Sequence, residues 1–298
     1  MESCEEILAQ VEVFYGELSG HRADVYARLP RFDSASEWSL AGTVRGPRCL
    51  HAQTLPAMAR LVDLGAGPTH LARATVTEPV FWSPELPAIY DVTVKLQRAG
   101  ETVATVQREL GLRSLGPRGR SLTLDGKRYV IRGISTKSAK EPLARAWHEA
   151  TAVLFTEDLQ AERLAEASQW GALVAVEVGE GADLLERLRM LARLPAVGMV
   201  AVEGELPADF QKLEVAPNLL MAQVVADRWS GEAAVWADVV VVDIHDLEPM
   251  GRLASRLDKP IIARRRLPEA LTIDEARSAC DRLQRELAAI GQFAGYVV

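Results

Sequence analysis

Two patterns of hydrophobic and polar positions run along the chain. Up to about residue 112 the pattern has period two. Val11-Glu-Val-Phe-Tyr15, Trp38-Ser-Leu-Ala-Gly-Thr-Val44, Ala72-Arg-Ala-Thr-Val76, Tyr90-Asp-Val-Thr-Val-Lys-Leu96 and Thr102-Val-Ala-Thr-Val-Gln-Arg-Glu-Leu110 alternate or cluster β-branched residues. Gly/Pro breaks such as Leu64-Gly-Ala-Gly-Pro68 separate them, and Ala99-Gly-Glu101 reads as a hairpin loop. Short strands at this spacing predict an antiparallel sandwich. Gly65, Gly67 and Pro68 read as a plain turn, since no Lys-Ser/Thr follows as a phosphate loop requires.

From Tyr129 onward the pattern becomes strand, helix, strand. Eight apolar runs, too continuous for one-sided sheets, predict strands at Tyr129–Ser135, Ala152–Thr156, Leu173–Val178, Met199–Val202, Leu219–Val225, Val239–Ile244, Pro260–Ala263 and Ala294–Val297. Apolar residues recurring at three and four predict helices over Asp158–Trp170, Ala182–Leu194, Asp246–Leu257 and Ile273–Ile290. Eight strands with right-handed crossovers close most simply into a (β/α)8 TIM barrel. The predicted architecture is therefore multidomain β plus α/β: a β-sandwich over residues 1–120, then a small barrel over 121–298. About 170 residues must hold all eight units, against ~250 in a typical barrel, so the loops at the catalytic face must be short.

Composition adds bounds. Apolar residues are 48 % and charged residues 25 % of the 298, as in an ordinary globular chain. The net charge of −7 gives no electrostatic reason to expect nucleic acid or an anionic membrane as partner. Cys4, Cys49 and Cys280 lie far apart and fit no metal spacing, which reads as thiols in a reducing compartment. The acidic N-terminus does not look like a signal peptide, and no apolar run approaches the ~18 residues of a membrane span. A cytoplasmic location is expected.

The segment Phe81-Trp-Ser-Pro-Glu-Leu-Pro-Ala-Ile-Tyr-Asp-Val-Thr-Val-Lys-Leu96, with Glu109-Leu-Gly-Leu-Arg-Ser114 and Leu122-Thr-Leu-Asp-Gly-Lys-Arg-Tyr-Val-Ile-Arg-Gly-Ile134, resembles glycoside hydrolase family 2, the β-galactosidase and β-glucuronidase family. The resemblance implies an immunoglobulin-like sandwich followed by the catalytic barrel. It also implies positions for the catalytic pair. The fourth barrel strand, ending Glu203-Gly-Glu205, puts Glu205 at the family's acid/base, with Gly204 where an amide would contact sugar. The seventh, ending Arg264-Arg-Arg266, puts Arg265 by register at the nucleophile. Where the family strands exit into Asn-Arg-His and a Ser/Thr-His pair, this chain has Ser135-Thr-Lys137 and Leu154-Phe-Thr-Glu-Asp158.

Retaining hydrolysis needs two carboxyl groups about 5–5.5 Å apart. A guanidinium is always protonated and cannot attack an anomeric carbon. The sequence therefore reads as a catalytically degenerate relative that binds a carbohydrate or an anionic small molecule at the barrel mouth. Strand alternation is expected to send Arg265 inward to an ion pair with Glu205. Candidate binding residues are Glu177, Glu203, Asp243, His245 and Arg264. The alternatives are a glycosidase pairing Glu205 with Glu177 or Asp243, and a protein-interaction scaffold. Asp243, His245 and Glu177 lack tight metal-ligand spacing, and neither metal nor cofactor is expected. Trp147, Trp170, Trp229 and Trp236 read as packing residues that could alternatively stack on sugars.

Overall fold

The computed structural model describes residues 4–29, 38–67, 69–136, 153–156, 160–267 and 271–298. The chain divides into two compact units, one built from residues up to Leu112 and the other from Arg113 onward. The tripeptides Ser83–Glu85 and Arg193–Pro195 each group with the other unit.

The first unit opens with helix α1 (Cys4–Ala9) and continues through seven antiparallel strands: β1 (Glu12–Ser19), β2 (Arg22–Leu29), β3 (Trp38–Arg48), β4 (Ala57–Ala66), β5 (His70–Thr77), β6 (Ile89–Arg98) and β7 (Glu101–Leu110). Their order is β1-β2-β5-β4-β3-β6-β7. Split at β4, this gives the four-strand and three-strand sheets of a constant-type immunoglobulin sandwich. Period two puts Ala23, Val25, Ala27 and Leu29 of β2, with Val92, Val94 and Leu96 of β6, into one core. Tyr90, at the start of β6, sends its hydroxyl back to the N–H of Val80 at 2.9 Å. This is the corner hydrogen bond characteristic of that sandwich. Between β6 and β7, Ala99 and Gly100 both have positive φ, as a two-residue hairpin turn demands.

Two of these strands lie beyond the runs expected from the sequence. In β2 the inward row Ala23, Val25, Ala27 and Leu29 is half alanine and alternates with the charged Arg22, Asp24 and Arg28, which dilutes its apolar signal. In β4 the strand continues through Leu64 and Gly65, where the glycines suggest a break, by means of a bulge between Asp63 and Ala66.

The second unit starts with a small antiparallel sheet of β8 (Leu115–Arg118), β9 (Ser121–Leu124) and β10 (Lys127–Tyr129). Eight parallel strands follow: β11 (Ile131–Thr136), β12 (Val153–Thr156), β13 (Val174–Val178), β14 (Val197–Val202), β15 (Leu220–Ala226), β16 (Val239–Asp243), β17 (Ile261–Arg264) and β18 (Gly295–Val297). Each hydrogen-bonds to the next, and β18 pairs back onto β11. The described helices are α2 (Ala161–Trp170), α3 (Leu184–Ala192), the single turn α4 (Lys212–Val215), α5 (Leu247–Arg256) and α6 (Ile273–Leu287). The link from β15 to β16 contains no helix, so the helical layer is thinner than eight full βα units would make it.

Register places Ala175, Ala201 and Ala222 on one face of the parallel sheet with the larger Met199, Leu220, Val241 and Ile262, a mix of small and large side chains that fills a narrow interior. Helix α6 is fixed at its start by a capping box, Thr272 accepting from the Glu275 N–H while the Glu275 carboxylate accepts from the Thr272 N–H. Among the described residues no helix is long and apolar enough to cross a membrane.

Candidate functional site

The same face that carries the small interior residues ends, at the C-terminal edge of the strands, in charged side chains. Glu177 is the penultimate residue of β13, Glu203 follows β14, Asp243 closes β16 and Arg264 closes β17. Asp243 and Arg264 are direct neighbours in register. Arg264 is fully buried and Glu177 is 4 % exposed. Charges so far from water persist only when paired and hydrogen-bonded.

Here the pairing is dense. Arg264 meets Asp243 side-on, Nε donating to Oδ1 at 2.5 Å and Nη2 to Oδ2 at 2.8 Å. Its Nη1 donates to Glu177 Oε2 at 2.7 Å, and Nη2 lies 3.6 Å from Glu203 Oε1. Arg266 covers the same acids from the rim, at 2.6 Å from Glu203, 3.3 Å from Glu177 and 3.5 Å from Asp243. Burial opposes the charge on Arg264. The hydrogen bonds to Asp243 and the charge of Glu177 nevertheless hold its pKa above the ordinary guanidinium value.

The expected pair of Arg265 and Glu205 does not form. Arg265 turns to the helical side and donates to Glu286 of α6 at 2.7 Å. Residues of like parity, Ile262, Arg264 and Arg266, share the interior face, so the inward cation is one position earlier than expected. Glu205 is carried away from the cluster by a turn at Gly204, whose φ is +107°. A Cβ at Gly204 would run into the Glu180 carboxylate, and Glu180 Oε1 accepts the Glu205 N–H at 3.2 Å. Glu205 is exposed. Glu203, two residues earlier, takes the mouth position.

His245 also stands apart from the cluster. Its side chain is largely exposed, with Nδ1 3.8 Å from Asp227. Asp227 is a residue that sequence reasoning missed. It is buried just beyond β15 and accepts the backbone N–H groups of His245 and Asp246 at 2.6 Å each, pinning the loop after β16. Burial pushes this carboxyl up, but those two donors prevail and its pKa is lowered.

A groove of about 800 Å3 lies beside this loop, with Asp227, Trp229, Asp246 and Arg256 in its lining. Trp229 is partly buried against its own neighbours. The Arg256 guanidinium lies 5.7 Å from its ring centroid, and Gly231 approaches so closely that a Cβ there would fall 2.8 Å from the indole.

Among the described residues no group of three His, Cys, Asp or Glu could hold a metal ion. Arginines already bridge the clustered acids. Trp147, Lys137, Glu157 and Asp158 lie outside the described residues.

The chain thus joins in sequence a β-sandwich and a closed ring of parallel strands, with clustered charges at the strand ends. Comparison with known proteins bears out the resemblance read from the sequence over the first unit: residues 14–113 match the family model Glycosyl hydrolases family 2. Solved structures agree in fold. An FMN-binding β-glucuronidase from Facaelibacterium prausnitzii L2-6 superposes with a TM-score of 0.64 at 13 % identity over 97 % of this chain and 55 % of that one. A glycosyl hydrolase family 2 member from Bacteroides cellulosilyticus gives 0.63 at 14 % identity, over 97 % and 45 %. Bacteroides uniformis β-glucuronidase 2 gives 0.60 at 14 %, over 98 % and 45 %. The chain thus spans about half the length of these structures. No curated protein matches it.

Proposed function

We propose that this chain is a non-hydrolysing relative of the family 2 glycosidases, built on a compact form of the (β/α)8 barrel, whose barrel mouth binds an acidic carbohydrate. The observation that carries the reading is Arg264, a fully buried cation that closes the strand the resemblance assigns to the nucleophile and is bonded to both Glu177 and Asp243. The guanidinium ties one Glu177 oxygen and both Asp243 oxygens into charge-assisted hydrogen bonds, so these acids do not stand as a free pair. Glu205, the acid/base position by resemblance, follows a turn at Gly204, and its N–H is held by the Glu180 carboxylate.

Binding is supported by the rim. Arg266 and Glu203 form their 2.6 Å pair with side chains 40 % and 52 % exposed. An exposed pair of this kind is worth about 0–1 kcal/mol. A ligand carboxylate can therefore replace Glu203 on Arg266 at little cost, while a bidentate guanidinium contact gives it orientation. A uronic acid joins that carboxylate to a sugar ring.

Titration calorimetry with glucuronate and with glucose tests this. Heat from glucuronate that disappears in Arg266→Ala, with none from glucose, is the expected result. Equal binding of both sugars, or of neither, contradicts the proposal.

A further inference from the structure

Strand β4 breaks the rule that the outer face of a sandwich is polar. Met58, Val62 and Leu64 stand outward at 68, 60 and 49 % exposure, and Leu55, just before the strand, is 95 % exposed. Register sets Arg45 of β3 opposite Met58 and Arg73 of β5 opposite Val62, with Arg60 between the two apolar side chains on β4 itself. Asp91 of β6 stands opposite Arg45 in register but is held by Arg48 at 3.2 Å, and the charge of Arg73 acts on Asp24 of β2, which Arg22 holds at 2.7 Å. In a chain of net charge −7 this face is locally cationic.

The backbone beneath is also open. Over Ala57–Leu61, β4 pairs with β3, and its pairing with β5 begins only at Val62 opposite Arg73. Strand β5 continues through Ala74–Thr77, paired on its other side to β2 alone. The two strands diverge, and a cleft of about 130 Å3 opens between them, with Val44, Val76 and Tyr90 in its floor and Met58, Arg60 and Thr77 at its lips. Alternate backbone N–H and C=O groups of both strands face that gap without a strand partner. Exposed apolar side chains, exposed cations and open strand edges coincide here.

We infer that the β4–β5 face is a docking groove for an extended acidic segment of a partner protein. The segment's backbone pairs with the open strand edges, its apolar side chains cover Met58 and Val62, and its carboxylates meet Arg45, Arg60 and Arg73. This is strand addition to a sheet edge, in which the backbone supplies affinity and alternate side chains supply specificity. An anionic lipid surface would satisfy the arginines but offers nothing to the strand edges. A second copy docking the same face would set arginine against arginine.

The test uses the full chain and fluorescein-labelled peptides of about eight residues: one alternating Glu and Val, one alternating Lys and Val, and one alternating Glu and Ser. The Glu-Val peptide is expected to raise anisotropy saturably, with the other two weaker. The triple variant R45E/R60E/R73E should weaken it by about tenfold or more without changing the melting temperature. Amide exchange should slow at 57–61 and 74–77 when peptide is bound. The inference is overturned if no peptide binds, if charge reversal leaves binding unchanged, or if protection appears elsewhere. It is equally overturned if the chain prefers phosphatidylserine vesicles to the peptide, or if the face proves to be covered in a self-associated form seen by sedimentation.

Discussion

Arg264 and Asp243 stand side by side at the ends of neighbouring strands and share two hydrogen bonds, Nε to Oδ1 at 2.5 Å and Nη2 to Oδ2 at 2.8 Å. The register that makes them neighbours also puts Arg265 on the opposite face, against Glu286. Position within the pleat decides which of three consecutive arginines governs the site.

That difference has an energetic consequence. Arg264→Met leaves Glu177 buried beside one rim arginine, and breaking a buried pair in this way costs about 3–5 kcal/mol. Arg265→Met removes a half-exposed pair worth about 0–1 kcal/mol. Urea unfolding of the two variants should show this separation. Adding Glu177→Gln to Arg264→Met should recover part of the loss, because the stranded charge is gone.

Asp227 makes stability fall in acid. Its folded pKa lies below the ordinary value because two backbone N–H groups favour the carboxylate. The stability it contributes is therefore complete above the unfolded carboxyl pKa near 3.9 and is lost as pH falls through the lower folded pKa. Between about pH 4 and pH 2, Asp227→Asn should lose stability less steeply than the parent. Asp227→Ala leaves both donors unpaired and should cost about 1–3 kcal/mol per group at neutral pH.

Cys280 is buried against the carbonyls of Gly133 and Tyr296, and burial pushes its thiol up to about 11. The thiolate is the reactive form. A disulfide reagent at pH 8 should label the partly exposed Cys4 and Cys49 first, and reach Cys280 only on unfolding.

Tyr90→Phe deletes the corner hydrogen bond to Val80 while keeping the buried ring. A loss of about 1 kcal/mol in the sandwich is expected, measured by chemical denaturation. A change beyond about 3 kcal/mol would mean the ring itself had moved.

How much of this was legible depended on burial. The barrel strands stood out as apolar runs because both faces are covered, and Val239–Asp243 is buried at its first four positions. The same property hid the parity of the last arginine run. All four residues of β17 are buried, so nothing in Ile261-Ile-Ala-Arg264 marks which face is inward, and a slip of one residue moved the expectation from Arg264 to Arg265. Strand β4 was obscured for the opposite reason, since Met58 and Val62 are apolar yet exposed. Glu177, Glu203 and Asp243 were recognisable because a carboxylate ending an apolar strand is conspicuous. Asp227 was not, because its role is to accept N–H groups from a loop distant in sequence.

The most direct test of the central claim is hydrolysis of a panel of aryl glycosides, glucuronides and galactosides included, by the purified chain beside Glu177→Gln and Glu205→Gln. The account predicts no turnover above either variant, because Arg264 occupies the two strand-end acids. Turnover abolished by either substitution would contradict it and show that a carboxylate at the barrel mouth still performs glycosyl chemistry.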